Sequence, residues 1–418
     1  MLFSKKTVKW AFRSAIVASV LIVLSLAVSE LCPWSPHPRP MAQTASETTS
    51  PMSFRADFAI DRLVAQFFDG TALYATEHKY VYKSLDCGKT WEQLGHLGPA
   101  HPGTFQAVRA GIGRSETFRR LVRPKGIWGG LVLQSGSILV YCNPYIYRST
   151  DGGHTYDQVH KLRTAPEVKA MLHAGWCEDG NGSVYYGEYG MENKAETHIM
   201  KSSDDGVTWA PVCTFPKGAV RHVHAVQYDP FDKLLWVATG DADMECMIAF
   251  SRDGGQTFTP IGSGDQVWRA VSLIFTPEYV YWGVDSPSNA GRIMRLRRSS
   301  HEVEKVADIE GPVYYSAQLR DGAMLMATTM EHLGTYGAQH AVVWCSRDGA
   351  AWHAVTQFDR PNQDYSVRPF GTIQFPRGAP LPTVVMSPLG VKGVDFATVV
   401  GHVGSTTEAP SLDAGHSR

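Results

Sequence analysis

Ser251-Arg252-Asp253-Gly254-Gly255-Gln256-Thr257-Phe258 is one copy of a turn that the chain repeats. Ser84 to Trp91, Ser149 to Tyr156 and Ser202 to Trp209 follow the same pattern, Ser-x-Asp-x-Gly-x-Thr-aromatic, and Ser346 to Trp352 is a fifth copy, one residue short. Serine and aspartate side chains bond readily to the backbone of a tight turn. Glycine takes the φ > 0 position that side chains resist, and the aromatic anchors the next strand in an apolar layer. Strand-like segments lead into most copies: Tyr80-Val81-Tyr82-Lys83, Tyr145-Ile146-Tyr147-Arg148 and Met247-Ile248-Ala249-Phe250. Each copy therefore reads as a hairpin turn between two strands.

The spacing of the copies carries the architecture. Asp86 and Asp151 stand 65 residues apart, Asp151 and Asp204 53, and Asp204 and Asp253 49; a further 95 residues, close to two such steps, lead to Asp348. A unit without the turn fits this long gap, around Arg292-Ile293-Met294-Arg295-Leu296. A period of roughly 40–50 residues holding several short strands is the mark of a β-propeller blade. Units are expected near residues 62–95, 126–160, 168–214, 220–262, 267–308, 312–357 and 366–400. That makes an all-β propeller of seven blades, or six if the poorly patterned last unit is an accessory hairpin. Ser53 to Ile60 is placed to supply the outer strand of the last unit, which closes the ring and leaves no free sheet edge. The aspartates Asp86, Asp151, Asp204, Asp253 and Asp348 read as structural members of their turns.

The propeller then takes residues 53–402. Ahead of it, residues 1–30 carry Lys5, Lys6, Lys9 and Arg13 and then an apolar run from Ala15 to Val28. The run matches a signal-peptide core and falls short of the ~20 residues a spanning helix prefers. Ser25-Leu26-Ala27 offers small residues for cleavage, while an uncleaved anchor with its basic end in the cytoplasm stays open. Either way the bulk of the chain is expected outside the cytoplasm, secreted, periplasmic or membrane-anchored, with the leader touching the membrane at least in transit. Residues 31–52 are rich in Pro, Ser and Thr and read as a disordered linker; residues 403–418 read as a disordered tail. A net charge of −1 and a pI near 7.0 give no argument for a nucleic-acid partner. Six cysteines follow Cys32, roughly one per repeat and with no CxxC pair. They read as small buried residues, with cross-strand pairing left open in an exported chain.

In a propeller, the loops leading into the innermost strands and those between second and third strands meet over the central channel. The first set holds His173, Arg221, His222, His224, Arg269, Tyr314, Tyr315 and Arg368; the second holds Glu188 to Asn193, Asp241 to Glu245, Asp285 to Asn289 and Glu331-His332. The connection at 96–125, which includes Arg123, can wall a pocket on one face. One mouth thus collects His, Arg, Tyr, Asp and Glu, which points to an anionic or sugar-like ligand. As catalytic groups we single out His173, His224, Arg269 and Tyr315. As substrate-binding groups we single out Arg123, Glu188, Arg221, His222, Asp241, Asp285 and Arg368. Competing roles are salt bridges between blades for the arginines, with Asp241, Asp285 or Glu188 as partners, and a packed wall for Tyr315. His222 and His224 alternate along a strand, so both face one side and are able to share a metal. With no third ligand identifiable, no metal or other cofactor is expected.

The repeated turn and its spacing resemble the Asp-box (BNR) repeat propellers, the superfamily that includes sialidases, over about residues 55 to 400. The resemblance implies the propeller fold and boxes at outer turns, away from the active site. A sialidase needs three arginines on a carboxylate, a Tyr–Glu pair and an Asp acid/base, with an Arg-Ile-Pro motif early in the chain. Here the nearest stretch is Val122-Arg123-Pro124-Lys125, which lacks the intervening residue. Arg123, Arg221, Arg269 and Arg368 are the arginines available for a triad, and Tyr314 or Tyr315 for the nucleophile.

Three functions remain open from the sequence. The first is an exported propeller that binds or cleaves an acidic oligosaccharide or polysaccharide. As a lyase it would use His173 or His224 to take the proton α to a uronate carboxylate, Arg269 to neutralise that carboxylate and Tyr315 to protonate the leaving oxygen. As a glycosidase it would be a glycoside hydrolase. The second is a non-catalytic scaffold or assembly factor with an envelope-protein partner. The third is a true exo-sialidase.

Overall fold

The chain alternates short apolar strands with glycine-rich turns; the outermost strands of the blades are half exposed, and the second strands are buried on both faces. Leu234–Gly240 is an example, buried at every position. The computed structural model describes residues 35–41, 50–98, 126–193, 195–286, 291–331, 340–361 and 370–405. They form seven sheets whose blade strands are antiparallel and run outward from an axial strand, with the short strand Arg377–Gly378 added in parallel to the sheet of blade 1. The axial strands are Val64–Phe68, Gly129–Val132, Trp176–Glu178, His222–Asp229, Leu273–Phe275, Val313–Gln318 and Thr372–Gln374, in blades 1 to 7. The protein is a seven-bladed β-propeller.

The ring closes as the sequence suggests. Met52–Asp61 pairs antiparallel with Ala397–Ser405 and becomes the outer strand of blade 7, with Phe54 opposite Val403 and Ile60 opposite Thr398. Two boundaries differ from expectation. The strand continues to Ser405, into the stretch read as tail, because Met52 and Ser53 offer it partners up to that point. Within the expected disordered linker, Arg39 exchanges backbone hydrogen bonds of 2.8 and 2.9 Å with Ala59, and its guanidinium binds Asp61 at 2.8 Å. The edge of the closing strand is thereby partly capped. The leader, most of the connection at 96–125 and the chain beyond Ser405 lie outside the described residues. The cysteines from Cys87 to Cys345 are free thiols.

The repeated turn has the same hydrogen bonds in each full copy. The Ser84, Ser149, Ser202 and Ser251 hydroxyls donate to the aspartate two residues on, at 2.7–2.8 Å. Each also accepts the N–H of Gly88, Gly153, Gly206 or Gly255 at 2.8–2.9 Å. The aspartate accepts both the N–H and the hydroxyl of the box threonine, as with Asp204 and Thr208 at 2.9 and 2.6 Å. In the short copy the N–H groups of Ala350 and Ala351, both 2.9 Å from Asp348, take the place of the threonine.

These turns also fasten each blade to the one before it. Gly206, at φ +81°, lies against Leu139 of blade 2, where a Cβ would come within 2.9 Å. Gly88 meets Val400, Gly153 meets Leu94, Gly255 meets Val212 and Gly349 meets Tyr281, each on the preceding blade. Blade 5 lacks the box and uses charge instead. Arg298, 9% exposed, forks onto the fully buried Asp229 of blade 4 and reaches Asp232 at 2.6 Å.

Removing one partner of a buried, hydrogen-bonded ion pair strands the other. Arg298→Met is therefore expected to cost about 3–5 kcal/mol of unfolding free energy in urea, and Asp229→Asn in the same chain to recover part of it. A loss under about 1 kcal/mol would show that the bridge does not hold blades 4 and 5 together. The boxes give an acid signature. Thr208 and Ser202 hold the Asp204 carboxyl down to about 2, from 3.8. A carboxyl depressed in the fold stabilises it at all pH above the unfolded value and loses that contribution as pH falls toward the folded one. The stability difference between the wild type and Asp204→Asn is thus expected to be constant above about pH 5 and to shrink from there as pH falls toward 2.

Candidate functional site

The described chemistry sits at the two ends of the axial channel. At the end where the axial strands begin, loops of blades 3 to 6 bring charged side chains together. Asp241 follows the second strand of blade 4, and Glu245 fixes its loop by accepting the Asp241 and Ala242 N–H groups at 3.1 Å. Asn193 of blade 3 donates to the other Glu245 oxygen at 2.7 Å. Arg269 lies between Asp241 Oδ1, 2.9 Å away, and Asp285 Oδ2, at 3.0 Å. Arg221 stands 3.6 Å from both Asp241 and Glu245. Nearby the Tyr314 hydroxyl donates to Glu331.

His222 and His224 are both buried here. Each faces a backbone carbonyl with Nδ1, His222 that of Gly190 at 2.8 Å and His224 that of Ala270 at 3.2 Å. Their Nε2 atoms approach one carboxylate oxygen, Asp241 Oδ1, at 3.2 and 3.3 Å. Tyr189 stacks on His222 with ring centroids 4.0 Å apart. Burial works against the charge on Arg269, yet Asp285 and Asp241 keep its pKa above the ordinary value. Burial pushes the Asp285 and Glu331 carboxyls and the Tyr314 phenol upward.

The candidates therefore divide. The structure gathers Arg221, His222, His224, Asp241, Arg269 and Asp285 at this mouth. Both arginines are occupied by carboxylates, the salt-bridge alternative weighed from the sequence. Glu188 is taken up by Arg163, at 2.8 and 2.6 Å, and by the His198 N–H at 2.9 Å. Arg123 and Arg368 lie outside the described residues, as does His332.

His173 and Tyr315 line a different space. A cavity of about 380 Å³ opens along the axis toward the other end of the channel, and neither Asp241 nor Arg269 borders it. His173 Nε2 lies 3.0 Å from the Phe375 carbonyl, so it carries the proton. Nδ1 is left buried and without a hydrogen-bond partner. The His173 and Tyr315 rings meet edge to face with centroids 5.6 Å apart. Arg377, which the sequence reading passed over, also borders the cavity. It donates to the carbonyls of Trp176 and of His173, the latter at 3.0 Å, and among the described residues no carboxylate pairs with it. It sits in a short strand bridging to Phe67 and Phe68 of blade 1, at a place where no Asp-box or inner-strand pattern draws attention. Burial lowers its pKa to about 10, which leaves it a cation at neutral pH.

No family model matches the sequence, and no curated protein matches it. Solved structures do share the fold. An oligogalacturonate lyase in complex with manganese aligns with a TM-score of 0.53 at 10% identity, covering 85% of this chain and 97% of that one. A virginiamycin B lyase from Staphylococcus aureus aligns at 0.50 and 11% identity over 88% and 99% of the two chains. A chain of a mitotic checkpoint complex aligns at 0.51 and 8%, over 87% and 98%. Identities this low establish the fold and leave the chemistry to the residues.

Burial lowers His173 from 6.5 to about 3, so it stays neutral in the fold well below its unfolded value. The unfolded chain then binds the extra proton first, and stability is expected to fall as pH drops from 6.5 toward 3. His173→Gln, measured by urea unfolding at several pH values, is expected to flatten that part of the curve. An unchanged slope would mean the ring protonates in place.

Proposed function

We propose that the protein binds and processes an acidic glycan in the axial channel, by elimination next to a uronate carboxylate. The observation that carries this reading is the grouping of Arg377, His173 and Tyr315 around one cavity, with Arg377 free of any carboxylate partner among the described residues. Arg377 would hold the substrate carboxylate and stabilise the charge that develops on it. The His173 Nδ1 lone pair would take the proton from the adjacent carbon. The bond from the next carbon to the glycosidic oxygen then breaks, and the Tyr315 hydroxyl protonates the departing oxygen. The products are an unsaturated uronate and a shortened glycan. Compared with the sequence-based roles, His173 and Tyr315 keep theirs and Arg377 replaces Arg269, whose guanidinium is already bound by Asp241 and Asp285. The two lyases among the structures of similar fold fit this reading without deciding it.

A second reading, a docking platform for an envelope protein, has one observation in its favour. Met191 and Met244 stand 74% and 84% exposed on the two mouth loops that Asn193 and Glu245 tie together. The readings separate experimentally. Incubation with a panel of acidic polysaccharides, followed by ultraviolet absorbance of the unsaturated product, is expected to show turnover. His173→Ala should reduce kcat by about 10²–10⁴-fold, Tyr315→Phe should lower kcat, and Arg377→Lys should chiefly raise KM. Absence of both turnover and binding across the panel, with folded full-length protein, would sink the glycan reading. A stoichiometric partner in membrane pull-downs, lost on Met191→Glu with Met244→Glu, would favour the platform.

A further inference from the structure

We propose that His222, His224 and Asp241 form a binding site for one divalent transition-metal cation at the channel mouth. The site stands on its own geometry and is independent of the glycan reading. A carbonyl oxygen only accepts hydrogen bonds, so the Gly190 and Ala270 carbonyls fix the proton of each imidazole on Nδ1. Both Nε2 atoms are left with bare lone pairs. The two lone pairs converge on a third acceptor, Asp241 Oδ1, at 3.2 and 3.3 Å. Arg269 reaches the Asp241 oxygen from one side at 2.9 Å, but the two imidazole lone pairs still point at that oxygen with no cation between them.

The His222 Nε2 atom supplies a separate observation. The residue is 2% exposed, and this nitrogen has no hydrogen-bond partner despite its nearness to the carboxylate. It is not aligned on the Asp241 oxygen as a donor would be. A buried polar atom left in that state is costly, and a metal bond would satisfy it. The spacing also fits. Ligands held at 2.0–2.1 Å around a four-coordinate ion sit about 3.3–3.4 Å from one another, and the three donor atoms here lie within 4.8 Å of each other.

The surroundings resemble those that orient metal ligands. Each imidazole is turned by a carbonyl on its far nitrogen. Tyr189 stacks on His222, and His222 on His224 with centroids 4.9 Å apart, so the ring planes are fixed. Glu245 and Asn193 hold the Asp241 loop. Charge is consistent as well: the carboxyls of Asp241, Glu245, Asp285 and Glu331 outnumber the guanidiniums of Arg221 and Arg269 at this mouth. Two imidazoles and one carboxylate suit Zn²⁺ or another first-row divalent ion and leave at least one coordination position for a water or a ligand oxygen.

The test uses the full chain, stripped with chelator and titrated calorimetrically with ZnCl₂ and MnCl₂ and spectroscopically with CoCl₂. The expected result is one equivalent per chain, a visible Co²⁺ absorption band, and a rise in melting temperature that chelator reverses. His222→Ala, His224→Ala and Asp241→Ala should each weaken binding at least tenfold while His173→Ala leaves it unchanged. Absence of binding of all three ions to the wild type, or binding that survives in the three alanine variants, overturns the proposal. Where an alanine variant fails to fold, the wild-type stoichiometry and Co²⁺ band decide instead, and an ion bound without that band would place it elsewhere. Substrate plays no part, so this outcome does not depend on glycan turnover.

Discussion

The serine hydroxyl of the repeated turn is the joint on which the ring rests. In one atom it donates to the box aspartate and accepts the glycine N–H, which holds two consecutive residues in the φ > 0 region, Asp205 at 62° and Gly206 at 81° for instance. That conformation lays the glycine backbone flat on the preceding blade. A local hydrogen bond thus sets the distance between neighbouring sheets, and the box aromatic fills what remains. Blade 5 reaches the same end with Arg298 and Asp229, at the risk that goes with a buried ion pair. Because a ring closes only if every joint has the right angle, the constraint is shared, and the strand Met52–Asp61 completes it by joining the two ends of the chain in one sheet.

A rigid ring leaves its axis as the place where groups from many blades meet, and the two ends of that axis hold charge differently. At the mouth Arg221 and Arg269 both have carboxylates within 3.6 Å. Each of these guanidiniums is already met by carboxylates, and the acceptors that remain, the two Nε2 atoms, favour a cation. In the cavity Arg377 is held, among the described residues, by backbone carbonyls. Carbonyl dipoles offset a cation only in part, so a ligand carboxylate gains most at this end. The two proposals in this molecule follow from that asymmetry.

Much of the fold was legible because its signals are local. The box is an eight-residue pattern with its own hydrogen bonds, its spacing gives the blade length, and the gap around Arg292–Leu296 correctly marks a blade without it. The closing strand was legible because an incomplete last unit needs a partner. The box states which residues turn, but nothing in it tells how far a strand runs, so Val403–Ser405 and Arg39 were misjudged. Salt bridging of Arg269 to Asp241 and Asp285 was among the alternatives the sequence offered, but the one expected mouth divides into two sites, and Glu188 meeting Arg163 depends on a contact between neighbouring units that no local pattern records.

The choice between Tyr314 and Tyr315 shows why side-chain direction escapes a sequence reading. Alternation along a strand assigns opposite faces to neighbours, but the axial strands carry irregularities that break the alternation. The register shifts at Gln66 in blade 1, at His224 in blade 4 and at Tyr314 in blade 6. An extra residue on one strand changes which side chains face the axis from that point on. Tyr314 turns to Glu331 at the mouth while Tyr315 turns to His173 in the cavity. Bulges leave no fixed residue signature, since any residue able to take the local bend will serve. The same shifts that hide these assignments in the sequence are what gather polar groups at an axis that a regular strand would line with alternate residues only.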